Sequence, residues 1–326
     1  MRASFVALAA AILVACAPEP VIDRARVERV VSALAADSML GRRAFTPAAD
    51  RAAAFINREF ADIGLETLDG LNGYLQTFSV DAVAPPGPDQ MNGRPAPTAN
   101  VVGVISGRRR HEMVLFSAHY DHVGVGQGVD GDSVFNGAND NASGTTAVIE
   151  LARYFKAKGR PERTLVFAAF TAEEAGGFGS RYFSQQLDPG RVVAMFNIEM
   201  IGKPSAQGPN HAWITGFERS SLGTILQEAV AGTEFAFDPD PYPQENLFYR
   251  SDNATLARLG VPAHSFSTTP IDVDHDYHQV SDEVGTLDLD HMTNTIRAIA
   301  RGAAPIIAGS ATPTRVDSTQ AHRPLP

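Results

Sequence analysis

Imidazole and carboxylate side chains recur in five places along this chain, each beside an apolar run or a helical pattern. Met113 to Phe116 leads into Ser117-Ala118-His119-Tyr120-Asp121-His122, and Asp140 lies in Asn136-Gly137-Ala138-Asn139-Asp140-Asn141. Thr164 to Phe170 runs into Thr171-Ala172-Glu173-Glu174, and Val192 to Ile198 into Glu199. A late loop reads Asp274-His275-Asp276-Tyr277-His278, then Ser281 and Asp282. Neutral imidazole and carboxylate are ordinary ligands of catalytic zinc. His119 and Asp121 are two apart, so in extended backbone they share a face, and the Asp121 carboxylate can take the His119 ring N–H and fix its tautomer. Adjacent Glu173 and Glu174 repel each other unless a cation lies between them. One can ligate a metal while the other faces a bound water, because successive extended residues point apart. A carboxylate such as Glu199, directly after a buried strand, costs several kcal/mol unless paired or metal-bound.

Each segment alone has an ordinary alternative. The first and last read as solvated loops, Glu173-Glu174 as acids at the positive end of a helix, and Glu199 as half of an ion pair with a distant Arg. The set points elsewhere, because ligating residues stand at three strand ends, one helix start and one loop. In an open α/β sheet the carboxyl ends of the strands are where ligands gather.

The elements that must position them follow from periodicity. Val27, Val30, Val31 and Leu34 form a helical stripe, and Thr46-Pro47 opens a second helix closed by Gly64. Leu75–Val80, Val101–Ile105, Met113–Phe116, Thr164–Phe170, Val192–Ile198, Ala212–Thr215 and Pro262–Phe266 read as strands, several apolar throughout as in strands covered on both faces. Helices are expected over 141–158 and 222–230, and through Met292, Ile296, Ile299, Ala303 and Ile306. Arg108 to His111 reads as a turn and 81–99 as a surface connection. Strands alternating with helices make a layered α/β sandwich. His111, His211, His264, His291 and His322 are assigned to surface or packing.

The chain has 326 residues, 44% of them hydrophobic, enough for one large domain or two smaller ones. Its formal net charge is −10, and its longest basic run is Arg108-Arg109-Arg110, which disfavours nucleic acid as a partner. The single cysteine, Cys16, excludes an internal disulfide. Residues 1–15 join a charged start to a short apolar run, the pattern of a secretory signal, too short to span a bilayer. Leu13-Val14-Ala15-Cys16 resembles a bacterial lipobox, which implies cleavage before Cys16, lipidation of that residue and, with Ala17 following, the periplasmic face of the outer membrane. The expected organisation is a lipoprotein signal over 1–15, a tether over 16–25, one catalytic domain over 26–308 and a disordered tail over 309–326.

As an ordered set, NVVGVISG, SAHYDHVG, GANDNASG, FTAEEAGGFGS, NIEMIG, FYRSDNATLARLGVPA and DYHQVSDE resemble the twenty-eighth family of metallopeptidases, the co-catalytic di-zinc aminopeptidases of the leucyl-aminopeptidase type. The resemblance implies a three-layer α/β/α sandwich around a mixed, mainly parallel sheet, with no protease-associated domain in 81–99. It implies His119 as a first-zinc ligand oriented by Asp121, Asp140 as the bridging carboxylate, Glu173 as general base, Glu174 and His278 as second-zinc ligands, and Tyr277 as an oxyanion partner. Glu199 stands where the family has Asp, one methylene longer, and would serve the first zinc. Asn253 stands where many relatives have His, which bears on the substrate pocket.

The activity implied is hydrolysis of the N-terminal peptide bond of peptides by water activated between two Zn2+ ions, with Glu173 moving the proton. The rivals are a single-zinc glutaminyl cyclase, a carboxypeptidase or amino-sugar hydrolase on the same scaffold, and a non-catalytic surface binding protein. A serine hydrolase is disfavoured because no GxSxG elbow occurs.

Overall fold

The computed structural model describes residues 19–83 and 96–320. The signal and Cys16 lie outside those residues, as do His322 and most of the 81–99 connection.

Helix α1 spans Arg24–Leu34 and α2 Pro47–Ile63. The local signals at α2 act as the sequence indicates: Thr46 accepts from the Ala48 N–H, Pro47 starts the first turn, and Gly64 ends the helix at φ +74°. Strands β1 (Glu66–Thr67), β2 (Leu75–Phe78), β3 (Thr98–Ile105) and β4 (Arg109–His119) follow. The Arg108–His111 segment, expected to turn, is already largely in β4, whose pairing with its neighbour shifts register between Arg109 and Met113. A hairpin of β5 (Gly124–Val129) and β6 (Asp132–Phe135) then leads to α3 (Gly144–Lys158). The chain continues through β7 (Arg163–Phe170), α4 (Phe178–Gln185), β8 (Val192–Ile198), β9 (His211–Ile214), α5 (Leu222–Val230) and β10 (Ala236–Pro239). It ends with α6 (Asn253–Ala257), β11 (Ala263–Ser267) and α7 (Leu289–Ile307).

The main sheet runs β1-β3-β7-β4-β8-β11-β9-β10, with β2 paired to β3. Its centre, β7-β4-β8-β11, is parallel throughout, while β3 and β9 join it antiparallel. Four central strands therefore deliver their carboxyl ends to one edge. Alternation along β4 divides the core. Val114 and Phe116 face the layer of α1, α2, α3, α5 and α7, while Met113 and Leu115 face the layer of α4 and α6. Phe116 sits at the middle of the larger layer, its ring stacked at 5.5, 5.6 and 5.0 Å from Phe155, Phe167 and Phe196. This is the three-layer α/β/α sandwich with a mixed, mainly parallel sheet. Among the described residues no helix is long and apolar enough to cross a membrane.

The expected disordered tail needs correction. Residues 309–316 pack on the domain: Val316 is buried and its N–H donates to the Gly260 carbonyl. Arg315 donates to the Val192 carbonyl at 2.8 Å, and Arg163 reaches the Ala311 carbonyl at 2.8 Å and the Thr312 hydroxyl at 2.6 Å. Composition missed this because two arginines, Arg163 of the domain and Arg315 of the segment, fasten it through hydrogen bonds rather than through apolar bulk.

Candidate metal centre

Strand β4 ends on His119, which is fully buried. Its Nε2 lies 3.3 Å from Asp140 Oδ1 and 3.3 Å from Glu199 Oε2. Its Nδ1 lies 3.1 Å from the backbone carbonyl of Asp121, whereas the Asp121 carboxylate is 3.8 Å away. Asp121 therefore orients His119 through its main chain, not through the side chain as the spacing suggests. The chain turns directly after the strand, and this turns the Asp121 carboxylate to accept the Glu173 N–H at 3.1 Å instead.

Asp140 sits in an irregular turn before α3, in extended backbone (φ −109°, ψ 95°) rather than as a helical residue. The Asp282 carboxylate takes the N–H of Asn139 at 2.8 Å and of Asp140 at 3.0 Å. Asn139 Oδ1 accepts from the Gly202 N–H, and Asn141 Nδ2 donates to the Ile198 carbonyl and to Glu199 Oε2. The Asp140 turn is thus fastened to the Glu199 loop. Its two oxygens face different partners: Oδ1 faces His119, and Oδ2 lies 3.2 Å from His278 Nε2 and 3.7 Å from His122 Nδ1.

Glu174 Oε1 lies 3.1 Å from both His122 Nδ1 and His278 Nε2. Glu173, one residue earlier, approaches His119. The extra methylene of Glu199 is accommodated by Ser251 Oγ at 2.6 Å and Asn197 Nδ2 at 3.0 Å, both donating to Oε1. Oε2 faces His119 and also accepts from the Asn141 amide. Tyr277 is half exposed and stacks on His278 with ring centres 3.9 Å apart.

Arg42 holds this frame together. It is completely buried, and its guanidinium donates to the carbonyls of Tyr120 (2.7 Å), Leu34 (2.7 Å), Asn136 (2.5 Å) and Gly137 (2.8 Å). One cation thereby ties the loop after His119 to the loop before Asp140. Burial lowers its pKa to about 10, still charged at neutral pH.

The electrostatics show what the cluster is built to receive. Burial pushes the Glu173 carboxyl well above the usual range. Burial would also raise Asp140, but His119 and His278 outweigh it and hold that carboxyl well below its ordinary value. Asp140 and Glu174 raise His278 to about 10. Burial pulls His119 down, yet Glu199 and Asp140 outweigh it and hold that imidazole well above its ordinary value. Without a metal, the carboxylates retain protons on the imidazoles; a divalent cation supplies the same charge with matched ligands. His119, Asp140 and Glu199 form one group of converging donors, and His122, Asp140, Glu174 and His278 form another. Nitrogen and carboxylate donors of this kind fit zinc. The cluster opens on a cavity of about 360 Å³ lined by Glu173, Glu199, Trp213, Thr215, Tyr242 and Tyr277, a volume suited to a small ligand or the end of a peptide.

The structure thus brings together His119, Asp140, Glu173, Glu174, Glu199 and His278, with Asp121 and Tyr277 beside them. It adds His122 and Arg42, to which sequence reasoning gave no role. The spacing of His119 and His122 was the available signal for the first; nothing local marks the second. Asn253 does not line the cavity. Its amide donates to the Phe248 and Ala263 carbonyls, a packing role behind it. Of the histidines set aside, His264 and His291 are buried, His211 pairs with Asp238, and His111 is exposed.

A model of peptidase family M28 matches residues 100–303. A probable zinc metalloprotease of Leptosphaeria maculans is 38% identical over 224 residues, covering 59% of this chain and 52% of its own length. Leucine aminopeptidase 1 of Trichophyton rubrum is 27% identical over 210 residues, 61% of this chain and 56% of its own. The chain therefore spans about half the length of these curated relatives. In fold it is similar to a zinc aminopeptidase from Bacillus subtilis, with a TM-score of 0.67 over 89% of this chain and 97% of the other at 16% identity.

Proposed function

The chain belongs to peptidase family M28, and on that premise we propose that it is a zinc-dependent aminopeptidase hydrolysing the N-terminal peptide bond of peptides. The observation that carries the reading is the two-sided placement of Asp140. Its oxygens face separate nitrogen and carboxylate groups, one around His119 and Glu199, the other around Glu174 and His278. That arrangement suits two cations sharing one carboxylate. When bound, zinc supplies Lewis-acid polarisation of a carbonyl and lowers the pKa of water toward neutrality.

The chain's own residues do the rest. Glu173, beside His119 and facing the cavity, takes a proton from the attacking water on a carboxylate oxygen and returns it to the leaving amine nitrogen. The Asp121 carboxylate fixes the turn that carries Glu173 by accepting its N–H. The Tyr277 hydroxyl, at the cavity wall, donates to the developing oxyanion. Trp213 and Tyr242 give the cavity an apolar wall that excludes water from the substrate's first side chain.

The test is an aminoacyl-nitroanilide panel with zinc measured by mass spectrometry, before and after chelation and zinc re-addition. Activity should vanish on chelation, return with zinc, and require a free α-amino group. Glu173→Ala should keep its zinc and lose about 10²- to 10⁴-fold in kcat. Equal cleavage of N-acetylated substrates would refute the exopeptidase reading, as near-wild-type activity of Glu173→Ala would refute the base. Export and lipidation at Cys16 are proposed on the sequence pattern of residues 1–17; palmitate labelling of wild type that is equal in Cys16→Ser would refute the lipidation, and retention of the full-length chain in the cytoplasm would refute the export.

A further inference from the structure

The two groups of donors around Asp140 are unequal, and the inequality lies in His122. We propose that His122 is a fourth protein ligand of the second zinc, closing that site, while the site of His119, Asp140 and Glu199 alone keeps a position for the reaction. This inference rests on the zinc reading above and adds a residue and a division of labour to it.

The distances carry the argument. A tetrahedral zinc with bonds of about 2.0–2.1 Å places its donor atoms about 3.3–3.4 Å apart. His122 Nδ1 lies 3.1 Å from Glu174 Oε1 and 3.7 Å from Asp140 Oδ2. His278 Nε2 lies 3.1 and 3.2 Å from the same two oxygens. All four donor atoms fall within 4.8 Å of one another. Four measured separations therefore sit near the edge length of one tetrahedron, contributed by two nitrogens and two oxygens. The group of His119, Asp140 and Glu199 has three donors, with Nε2 3.3 Å from each of the two carboxylates. Three donors occupy one face of a tetrahedron and leave its apex vacant.

His122 is also placed as a ligand would be. Its side chain is completely buried, and its ring stands edge-on to that of His278 with centres 5.5 Å apart. It packs against Gly137, where a Cβ would collide with the ring. The competing account makes His122 a simple hydrogen-bond donor to Glu174. It leaves unexplained why Nδ1 approaches both carboxylates that His278 approaches, at 3.1 and 3.7 Å.

Zinc sites closed by four protein ligands are structural, whereas catalytic sites keep an open position. The second zinc should accordingly be held tightly and exchange slowly, and the first should be the labile ion. X-ray absorption on the full-chain enzyme loaded with two equivalents of zinc counts imidazoles directly. Three histidines over two ions give an average of 1.5 per zinc; an average of 1 overturns the proposal. Calorimetric titration of zinc into the metal-free protein provides the second measurement. His122→Ala and His122→Ser should weaken the tighter step by roughly 100-fold or more and leave the weaker step unchanged; two unchanged steps overturn the proposal. A protein that binds no zinc at all would instead strike the aminopeptidase reading. Two tightly bound ions with one imidazole each would leave that reading standing and remove only His122.

Discussion

Replacing Arg42 should damage stability and zinc binding together, although Arg42 touches no candidate ligand side chain. Its guanidinium serves four carbonyls at 2.5–2.8 Å, on Leu34, Tyr120, Asn136 and Gly137. In Arg42→Met these acceptors lose their donors in a place that admits no solvent. An unsatisfied buried acceptor costs about 1–3 kcal/mol. Relaxation of the two loops recovers part of this, so a net loss of about 4–6 kcal/mol is expected. For a chain of 326 residues unfolding entropy scales to about 1.5 °C per kcal/mol, which gives a fall in Tm of about 6–9 °C. Arg42→Lys keeps the charge but lacks the planar fork, so it should recover a minority of the loss. The loops carrying Tyr120 and Gly137 also carry His119 and Asp140, so zinc affinity measured by calorimetry should fall in the same variants by roughly tenfold or more. Differential scanning calorimetry on the metal-free and zinc-loaded proteins separates the two effects. If Arg42→Met melts within 2 °C of wild type and binds zinc with wild-type affinity, the guanidinium does not hold the frame.

Gly137→Ala should be severe for a methyl group. At φ +55° the added Cβ is strained, and it would press on the Asp140 carbonyl oxygen and the His122 ring. A loss of zinc content at mass spectrometry with retained far-UV circular dichroism is expected; full zinc occupancy with wild-type stability would contradict the close packing. His264 should set part of the acid limit of stability. Its burial lowers its pKa to about 4 from a usual value near 6.5, with Thr215 and Ser220 bonded to the neutral ring. The unfolded chain binds a proton there that the folded chain refuses, so this contribution is complete above pH 6.5 and is lost as pH falls to 4. The span corresponds to about 3 kcal/mol. Urea unfolding of the metal-free protein at pH 4 to 7 should show a shallower acid limb in His264→Gln than in wild type, and identical slopes would rule out the assignment.

Most of the strands and the long helices were legible because each rests on a local periodic signal. Val192–Ile198 and Leu222–Val230 appear with the expected limits, and the Thr46-Pro47 and Gly64 signals bound α2. Short or polar elements were not legible. The β5–β6 hairpin is largely exposed and rich in glycine, and α6 has only five residues, so neither leaves a periodic trace. At the site, the residue types at the strand ends announced the donors because a parallel sheet sends successive carboxyl ends to one edge. His122 was not announced. Whether a residue three positions past a strand end returns to the cluster depends on how the chain turns. The Asp121 carboxylate was assigned to His119 for the same reason, an extended geometry carried one residue too far.

By itself, then, the sequence determined the layered α/β architecture and the chemical identity of the donors, since these follow from side-chain type and spacing along the chain. The tertiary structure alone decided how those donors are grouped, with Asp140 facing His119 on one side and His278 on the other, and how the loops are held, through Arg42 and Asp282. Arg42 reaches the carbonyls of residues 78 to 95 positions away, and a backbone carbonyl carries no mark in the sequence of the residue that will satisfy it.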